Sequence, residues 1–337
     1  MVRIGFAGMG YIGQVHYAAA RKINGVEVVA VADQRPPNEL QVDSGVKVYS
    51  DYGEFLRATD LDAIIVCVPT FLHEQFVIDA VRRQRHVLCE KPFALNAAAA
   101  GRMAGEARKA GAFLMVAQVL RFWPQYAQIK RLAGQGAIGQ IRSISAHRLS
   151  KYAPWATWFR DPEKSGGCLL DMQVHDVDYA YWLLGMPSSV ETTGLKGQQG
   201  GWDHVFTKLK YPHAVVNIES SYMMPESWPM TAGIRVDGES GCLEYRFRSA
   251  GNVQERDEAE DKLVYYPSDG VASEPESPAE DCFLAELRYF VDCVRAGTAP
   301  ADCPTEGSLD VMRIMDASKR SAETGAAVEL GPGGDVV

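Results

Sequence analysis

The sequence predicts two domains. Residues 1–120 read as an α/β domain on a parallel sheet, and residues 121–337 as an α+β domain on a large, mostly antiparallel, open-faced sheet. Three observations lead there. Short apolar runs alternate with helical stretches up to about residue 120, the mark of parallel strands joined by helices. After Gly139, strand-like runs follow one another with little helix between them. The length of 337 residues suits two domains at about 100–200 residues each.

In the first half the expected strands are Val2–Ala7, Val26–Ala32, Ala63–Val68, His86–Cys89 and Phe113–Ala117. The first three are rich in Val and Ile, as strands buried on both faces should be. Gly13–Ile23, Tyr52–Ala58, Glu74–Arg83 and Ala97–Ala110 read as the intervening helices. In the second half, Ile141–Leu149, Val190–Lys196, His204–Tyr211, Ala214–Tyr222, Ile234–Asp237 and Cys242–Phe247 read as strands. His204-Val205-Phe206-Thr207-Lys208-Leu209-Lys210 alternates polar with apolar residues, so one face of its sheet meets a core and the other does not. One helix is expected over Cys168–Leu184 and two more near Asp281–Ala296 and Glu306–Thr324, with Gly297 and Gly325 as stop signals. The polar stretch Pro267–Glu280 reads as a surface loop.

The first strand runs directly into Gly8-Met9-Gly10-Tyr11-Ile12-Gly13, which opens a helix. Gly8 permits a tight turn, Gly10 lets backbone approach a pyrophosphate, and Gly13 lets the helix pack close to the strand. The N–H groups of the helix start, with Tyr11 and Ile12, then face an anion along the helix dipole. An acid about twenty residues on, at the end of the second strand, accepts hydrogen bonds from the adenosine ribose, and Asp33 stands there. Strand, turn, helix and acid together predict a Rossmann domain holding a dinucleotide. Asp33 favours NAD, because its charge repels a 2′-phosphate. Arg35 can pair with such a phosphate, which leaves NADP open.

Bulk properties exclude other classes. A net charge of −9 without a basic run argues against nucleic acid as a partner. The seven cysteines have no C-x-x-C pair, which argues against a zinc ribbon or a disulfide framework and for a reduced, cytoplasmic protein. There is no signal-like start, and no apolar run approaches the roughly 18 residues of a membrane span. No metal site is expected: the seven histidines form no H-x-x-x-H or Cys/His cluster. The acidic segment Glu255–Asp261 lacks the pattern of a calcium loop and reads as an exposed hairpin.

Chemistry needs more than a binding loop. Lys91 ends a short strand before a proline, and ligands of open α/β sheets bind outside the carboxyl ends of the strands. Most lysines, however, are simply solvated. Asp171 and His175 stand four apart, which in a helix places them on one face. A carboxylate there can orient an imidazole and tune it, though an ordinary surface pair has the same spacing.

The motifs in order resemble the glucose–fructose oxidoreductase, inositol dehydrogenase and MocA (Gfo/Idh/MocA) family nearly end to end. They are Gly8–Gly13, Cys67-Val68-Pro69-Thr70-Phe71-Leu72-His73, Glu90-Lys91-Pro92, Arg121-Phe122, and Gly166-Gly167-Cys168-Leu169-Leu170-Asp171 running through His175 to Asp178 and on to Trp182-Leu183-Leu184-Gly185. The resemblance implies that Lys91, Asp171 and His175 form the catalytic group. His175 would be the general acid/base, Lys91 would bond the reacting oxygen, and Asp171 would orient the pair and bind a substrate hydroxyl. It implies that Val68, Pro69, Thr70 and His73 line the nicotinamide and its ribose, beside Glu90 and Lys91. Gln118 takes a place often held by Asn near the nicotinamide. The aromatic loop Tyr152–Arg160, with Trp155, Trp158 and Arg160, would reach the cofactor, although loop packing explains it equally well. Tyr152 and Arg121 are further substrate contacts on the same grounds.

The implied activity is hydride transfer between NAD(P) and a hydroxyl or carbonyl carbon of a sugar, cyclitol or sugar derivative. Two alternatives belong to the same family: a non-catalytic dinucleotide sensor, which would tend to lose the lysine, and an NAD-dependent glycoside hydrolase. The free face of the second sheet is where relatives commonly pair, so a homodimer or homotetramer is expected.

Overall fold

The computed structural model describes residues 1–58, 60–152, 157–249 and 260–337. Trp155 and residues 255–259 of the acidic segment therefore lie outside the described residues. The chain forms two compact units, Met1–Phe122 with Glu280–Leu309, and Trp123–Ala279 with Asp310–Val337.

The first unit begins β1 (Val2–Ala7), α1 (Tyr11–Ala20), β2 (Val26–Ala32), β3 (Lys47–Tyr49), α2 (Tyr52–Ala58), β4 (Ala63–Val66), α3 (His73–Val81), β5 (His86–Cys89), α4 (Ala97–Ala110) and β6 (Leu114–Val116). The sheet has the order β3-β2-β1-β4-β5-β6, all parallel. The order reverses between β1 and β4, which makes their carboxyl ends the switch point where such sheets bind ligands. Ile4, Phe6, Ile64 and Ile65 are wholly buried, each worth about 1.5–3 kcal/mol of transfer free energy. β3 escaped the sequence reading because three residues carry too little pattern.

The second unit contributes α5 (Pro124–Gly134), β7 (Ile141–Leu149), α6 (Pro162–Ser165), α7 (Gly167–Asp171), α8 (Val174–Leu184), β8 (Ser189–Lys196), β9 (Trp202–Lys210), β10 (Val215–Ser221), β11 (Met230–Gly238), β12 (Gly241–Ser249) and β13 (Glu260–Pro267). After these come α9 (Cys282–Ala296), α10 (Thr305–Thr324) and β14 (Val328–Glu329). The sheet runs β13-β12-β11-β7-β10-β9-β8-β14 and is antiparallel among the described residues except for the β7–β10 pair. The expected alternation in β9 is present: Val205 and Leu209 are wholly buried while Phe206 is 49% exposed. α5 and β13 were not expected, and the stretch after β13 is largely irregular, as a surface loop should be.

Two features depart from the sequence reading. The division at residue 120 is too simple, because Glu280–Leu309 returns to the first unit. Leu287, Phe290 and Val291 of α9 share a buried cluster with Ile4, Phe6 and Tyr17, so the helix covers apolar surface around β1 and α1. The helix expected over Cys168–Leu184 is two helices. α7 stops at Asp171 and α8 starts at Val174, with the Met172 and Gln173 N–H groups both turned onto the Cys168 carbonyl at 3.1 Å.

Candidate active site

The glycine turn in the first unit meets strict packing demands. Gly8 has φ +90°, and a Cβ on it would lie 2.7 Å from the Cys67 carbonyl oxygen at the end of β4. A Cβ on Gly13 would lie 2.2 Å from the Gly8 carbonyl oxygen. A Cβ on Gly10 would meet nothing within 4 Å, so it is not protein packing that asks for glycine there. Gly10 is the N-cap of α1, and no side chain caps the helix or brings an acid to its first turn. A pyrophosphate fits this cradle: backbone can come close at Gly10, and the helix start, with Tyr11 and Ile12, favours an anion.

Asp33 follows β2 and closes on the same turn. Its Oδ2 accepts the Met9 N–H at 2.7 Å. Arg35 folds back on it, with Nε 2.9 Å from Oδ1 and Nη2 3.0 Å from Oδ2. The Arg35 N–H also reaches Oδ1 at 2.9 Å. Burial works against the charged carboxylate, but the Arg35 and Met9 hydrogen bonds outweigh it and hold the pKa below the usual carboxylate range. The acid expected at the ribose thus stands beside the glycine turn, paired with the arginine that was expected to compete with it.

Val68, Pro69 and Thr70 leave β4 at the switch point, with Val68 and Pro69 half-buried and Thr70 buried. His73 starts α3 and is 1% exposed. Its Nδ1 lies 2.9 Å from the Pro92 carbonyl oxygen and its Nε2 2.9 Å from that of Val68. Both ring nitrogens therefore face backbone carbonyls at two strand-end turns, and the neutral ring donates to one of them at a time. Glu90, buried at the end of β5, has Oε1 2.8 Å from His16 Nε2, while its Oε2 accepts the Lys91 N–H at 3.1 Å. Lys91 is half-buried at that strand end. Gln118, just beyond β6, is buried and its Oε1 has no hydrogen-bond partner. A buried acceptor left so is costly, and the amide N–H of a nicotinamide is the kind of donor that would satisfy it. Arg121 is buried, and its Nη1 donates to the Asp302 carbonyl oxygen at 2.7 Å. That bond ties Arg121 to the segment after α9.

The second unit carries the remaining candidates. Asp171 and His175 do not share one continuous helix face, because the break at Met172–Gln173 separates them. Asp171 is buried and accepts a hydrogen bond from the Tyr222 hydroxyl. Burial first, then the Asp171 charge, pushes the Tyr222 phenol well above its ordinary value, so it remains a donor. Tyr152 stacks on Tyr222 at 5.1 Å, and the Arg160 guanidinium lies 5.5 Å from the centre of the Tyr152 ring. Trp158 stacks on Phe159 at 4.0 Å. His175 is half-buried and precedes Asp176, which pairs with Arg148 through two bonds of 2.9 and 3.0 Å. That buried pair pins the start of α8 to β7. Sequence reasoning missed Tyr222 and His16. Tyr222 was seen only as a strand end, and no local pattern reveals a partner 51 residues away.

Comparison with known proteins covers both units. The model of an oxidoreductase family with an NAD-binding Rossmann fold matches residues 2–118, and that of the Gfo/Idh/MocA C-terminal domain matches residues 126–244. The chain belongs to the Gfo/Idh/MocA oxidoreductases. Within the family it is 31% identical to D-xylose 1-dehydrogenase (NADP(+)) 2 of Haloferax volcanii, over 97% of this chain and 98% of the relative. It is 28% identical to myo-inositol 2-dehydrogenase of Thermotoga maritima, over 98% of each chain. A crystal structure of a probable dehydrogenase from Thermotoga maritima superposes with a TM-score of 0.79 at 27% identity, covering 97% of this chain and 99% of that one. The Gfo/Idh/MocA assignment makes the first unit an NAD-binding Rossmann domain and the chain an NAD(P)-dependent oxidoreductase.

Proposed function

We propose that this Gfo/Idh/MocA chain is a dehydrogenase that moves a hydride between a nicotinamide dinucleotide and a CH–OH carbon of a sugar or cyclitol. The relatives named for D-xylose and myo-inositol support that substrate class. The observation that carries the reading is Lys91 at the carboxyl end of β5, on a segment tied down by the buried Glu90 carboxylate. A bound nicotinamide supplies or accepts the hydride. The residues of the chain handle the proton. Lys91 bonds the reacting oxygen and shares in the transfer of its proton, which His175 takes or returns, and Asp171, held by Tyr222, orients the pair and a substrate hydroxyl. Gly8, Gly10, Tyr11, Ile12 and Gly13 hold the pyrophosphate, Asp33 the adenosine ribose, and Val68, Pro69, Thr70 and Gln118 the nicotinamide end. Tyr152 contacts the substrate, and Trp158 and Arg160 of the same loop reach the cofactor.

NAD is the preferred cofactor on this reading, since Asp33 brings negative charge to the ribose. Arg35, 40% exposed in its side chain, gives NADP a second route. We also infer a cytoplasmic homo-oligomer. All seven cysteines are free, no helix among the described residues is long and apolar enough to cross a membrane, and the open face of the second sheet exposes Phe206. The test is to mix the protein with NAD+ or NADP+ and a panel containing myo-inositol and D-xylose. Steady growth of reduced-nicotinamide absorbance with one of them supports the proposal. Tight dinucleotide binding with no absorbance change across sugars, cyclitols and sugar acids contradicts it.

A further inference from the structure

Two buried histidines flank the Lys91 segment in the first unit. His16, on α1, is wholly buried and lies 2.8 Å from Glu90 Oε1 through Nε2. Phe283 of α9 meets the His16 ring edge-on, with centroids 5.8 Å apart. His16 Nδ1 is buried without a hydrogen-bond partner. A ring with its hydrogen on Nε2 suits this setting, because it donates to Glu90 and leaves no N–H unpaired. Glu90 passes the anchorage on, since Oε2 accepts the N–H of Lys91. On the other side of Lys91, the Pro92 carbonyl oxygen lies 2.9 Å from His73 Nδ1. The residues before and after Lys91 are therefore tied to two different helices, α1 and α3.

This is an expensive way to fill a core. A buried carboxylate loses its hydration, and apolar residues of like volume often serve stability equally well. A polar anchor makes sense where position matters more than packing energy.

We propose that His16 and His73 are positioning residues for Lys91. Together they fix the backbone of residues 90–92 so that the lysine amine is presented at the carboxyl end of β5. This deepens the reading of Lys91 as the group that bonds the reacting oxygen, and rests on it.

The test compares His16→Leu, His16→Gln and His73→Leu with the unaltered protein and with Lys91→Ala. Three quantities are read. One is the dissociation constant for NADH by fluorescence. The second is the rate at which acetic anhydride labels Lys91 as a function of pH, by peptide mass spectrometry, with exposed Lys196 and Lys208 as internal references. The third is kcat with whichever of myo-inositol or D-xylose turns over. The expected result is that both leucine variants bind NADH within a few-fold of normal. Lys91 labelling changes while the reference lysines do not, and kcat falls roughly tenfold to a hundredfold, the range seen when the partners that orient metal ligands are removed. His16→Gln, whose amide also donates to Glu90, recovers most of the loss. Should His16→Leu fail to fold, Glu90→Gln removes the charged acceptor with little change of shape and is expected to alter Lys91 labelling alike. Unchanged labelling in the variants that fold overturns the proposal, and so does NADH affinity falling in step with kcat. Lys91→Ala separates the two ideas. Normal turnover in Lys91→Ala removes the proton-transfer role of the lysine, while labelling still decides positioning. An inactive Lys91→Ala beside unaffected histidine variants removes positioning alone.

Discussion

The Tyr222 hydroxyl donates to the buried carboxylate of Asp171, joining the end of β10 to the end of α7 just before the break that precedes His175. A hydrogen bond to a charged group contributes about 1.5–3 kcal/mol, and a buried carboxylate that loses it has no water to replace it. Tyr222→Phe is therefore expected to lower unfolding free energy by about 1–3 kcal/mol in urea titrations. It should also lower kcat/KM while leaving NADH affinity unchanged, because Asp171 loses a constraint on its orientation. Unchanged kcat/KM would show that Tyr222 serves stability only.

The Arg148–Asp176 pair sets the start of α8 against β7 and has almost no exposure, 6% and 0% in the side chains. Removing one partner strands the other charge. Arg148→Met is expected to destabilise by about 3–5 kcal/mol, and pairing it with Asp176→Asn should restore part of that. Urea midpoints of the single and double variants give the comparison. A single variant as stable as the unaltered protein contradicts the pairing.

Cofactor choice turns on Asp33 and Arg35, which now hold each other. Asp33→Ser removes the charge that opposes a 2′-phosphate and frees the arginine. NADPH should then gain on NADH by about tenfold to a hundredfold in dissociation constant, the worth of one or two charged hydrogen bonds. Arg35→Ala should weaken NADPH and spare NADH. Equal shifts for both dinucleotides in either variant contradict these roles.

Stability is expected to fall on mild acidification. His86 Nδ1 accepts the Phe113 N–H at 2.9 Å, which a protonated ring cannot do. Burial lowers the His86 pKa below 6.5, against the pull of Asp62. Burial likewise lowers that of His73, against the Val68 and Pro92 carbonyls. With folded values below unfolded ones, the unfolded chain binds protons first. The stability these rings contribute is full above pH 6.5 and is lost as pH falls through the lower folded values. The Asp33 contribution is lost only below its ordinary value of 3.8, so the first part of the decline on acidification does not come from it. Urea midpoints between about pH 7.5 and about pH 5.5 should decline, and His86→Gln should flatten part of that slope.

What could be read in the sequence was what local geometry demands. Gly8 and Gly13 declare themselves because the turn admits no Cβ, and Asp33 because its place after β2 follows from the βαβ unit. The β9 alternation survived because period two is imposed by one buried face. The helix break at Met172–Gln173 was invisible, since apolar residues continue across it and no proline or glycine marks it. α9 was read as a helix but not as part of the first unit, because sequence order says nothing of which core a closing helix covers. His73 and Arg121 were found by position, but the backbone carbonyls that both meet lie on segments that only the fold brings to them. His16 lay inside a helix whose inward face reads as plain apolar spacing, and only the fold brings Glu90 to it.

The central claim is that Lys91 takes part in the proton transfer that accompanies hydride transfer. It is tested most directly by Lys91→Ala, assayed with saturating dinucleotide and the substrate that the panel identifies. The expected result is NADH affinity within a few-fold of normal and kcat/KM lower by roughly a hundredfold to ten-thousandfold, the range for loss of a positioned proton-transfer group. Near-normal turnover in that variant would contradict the claim.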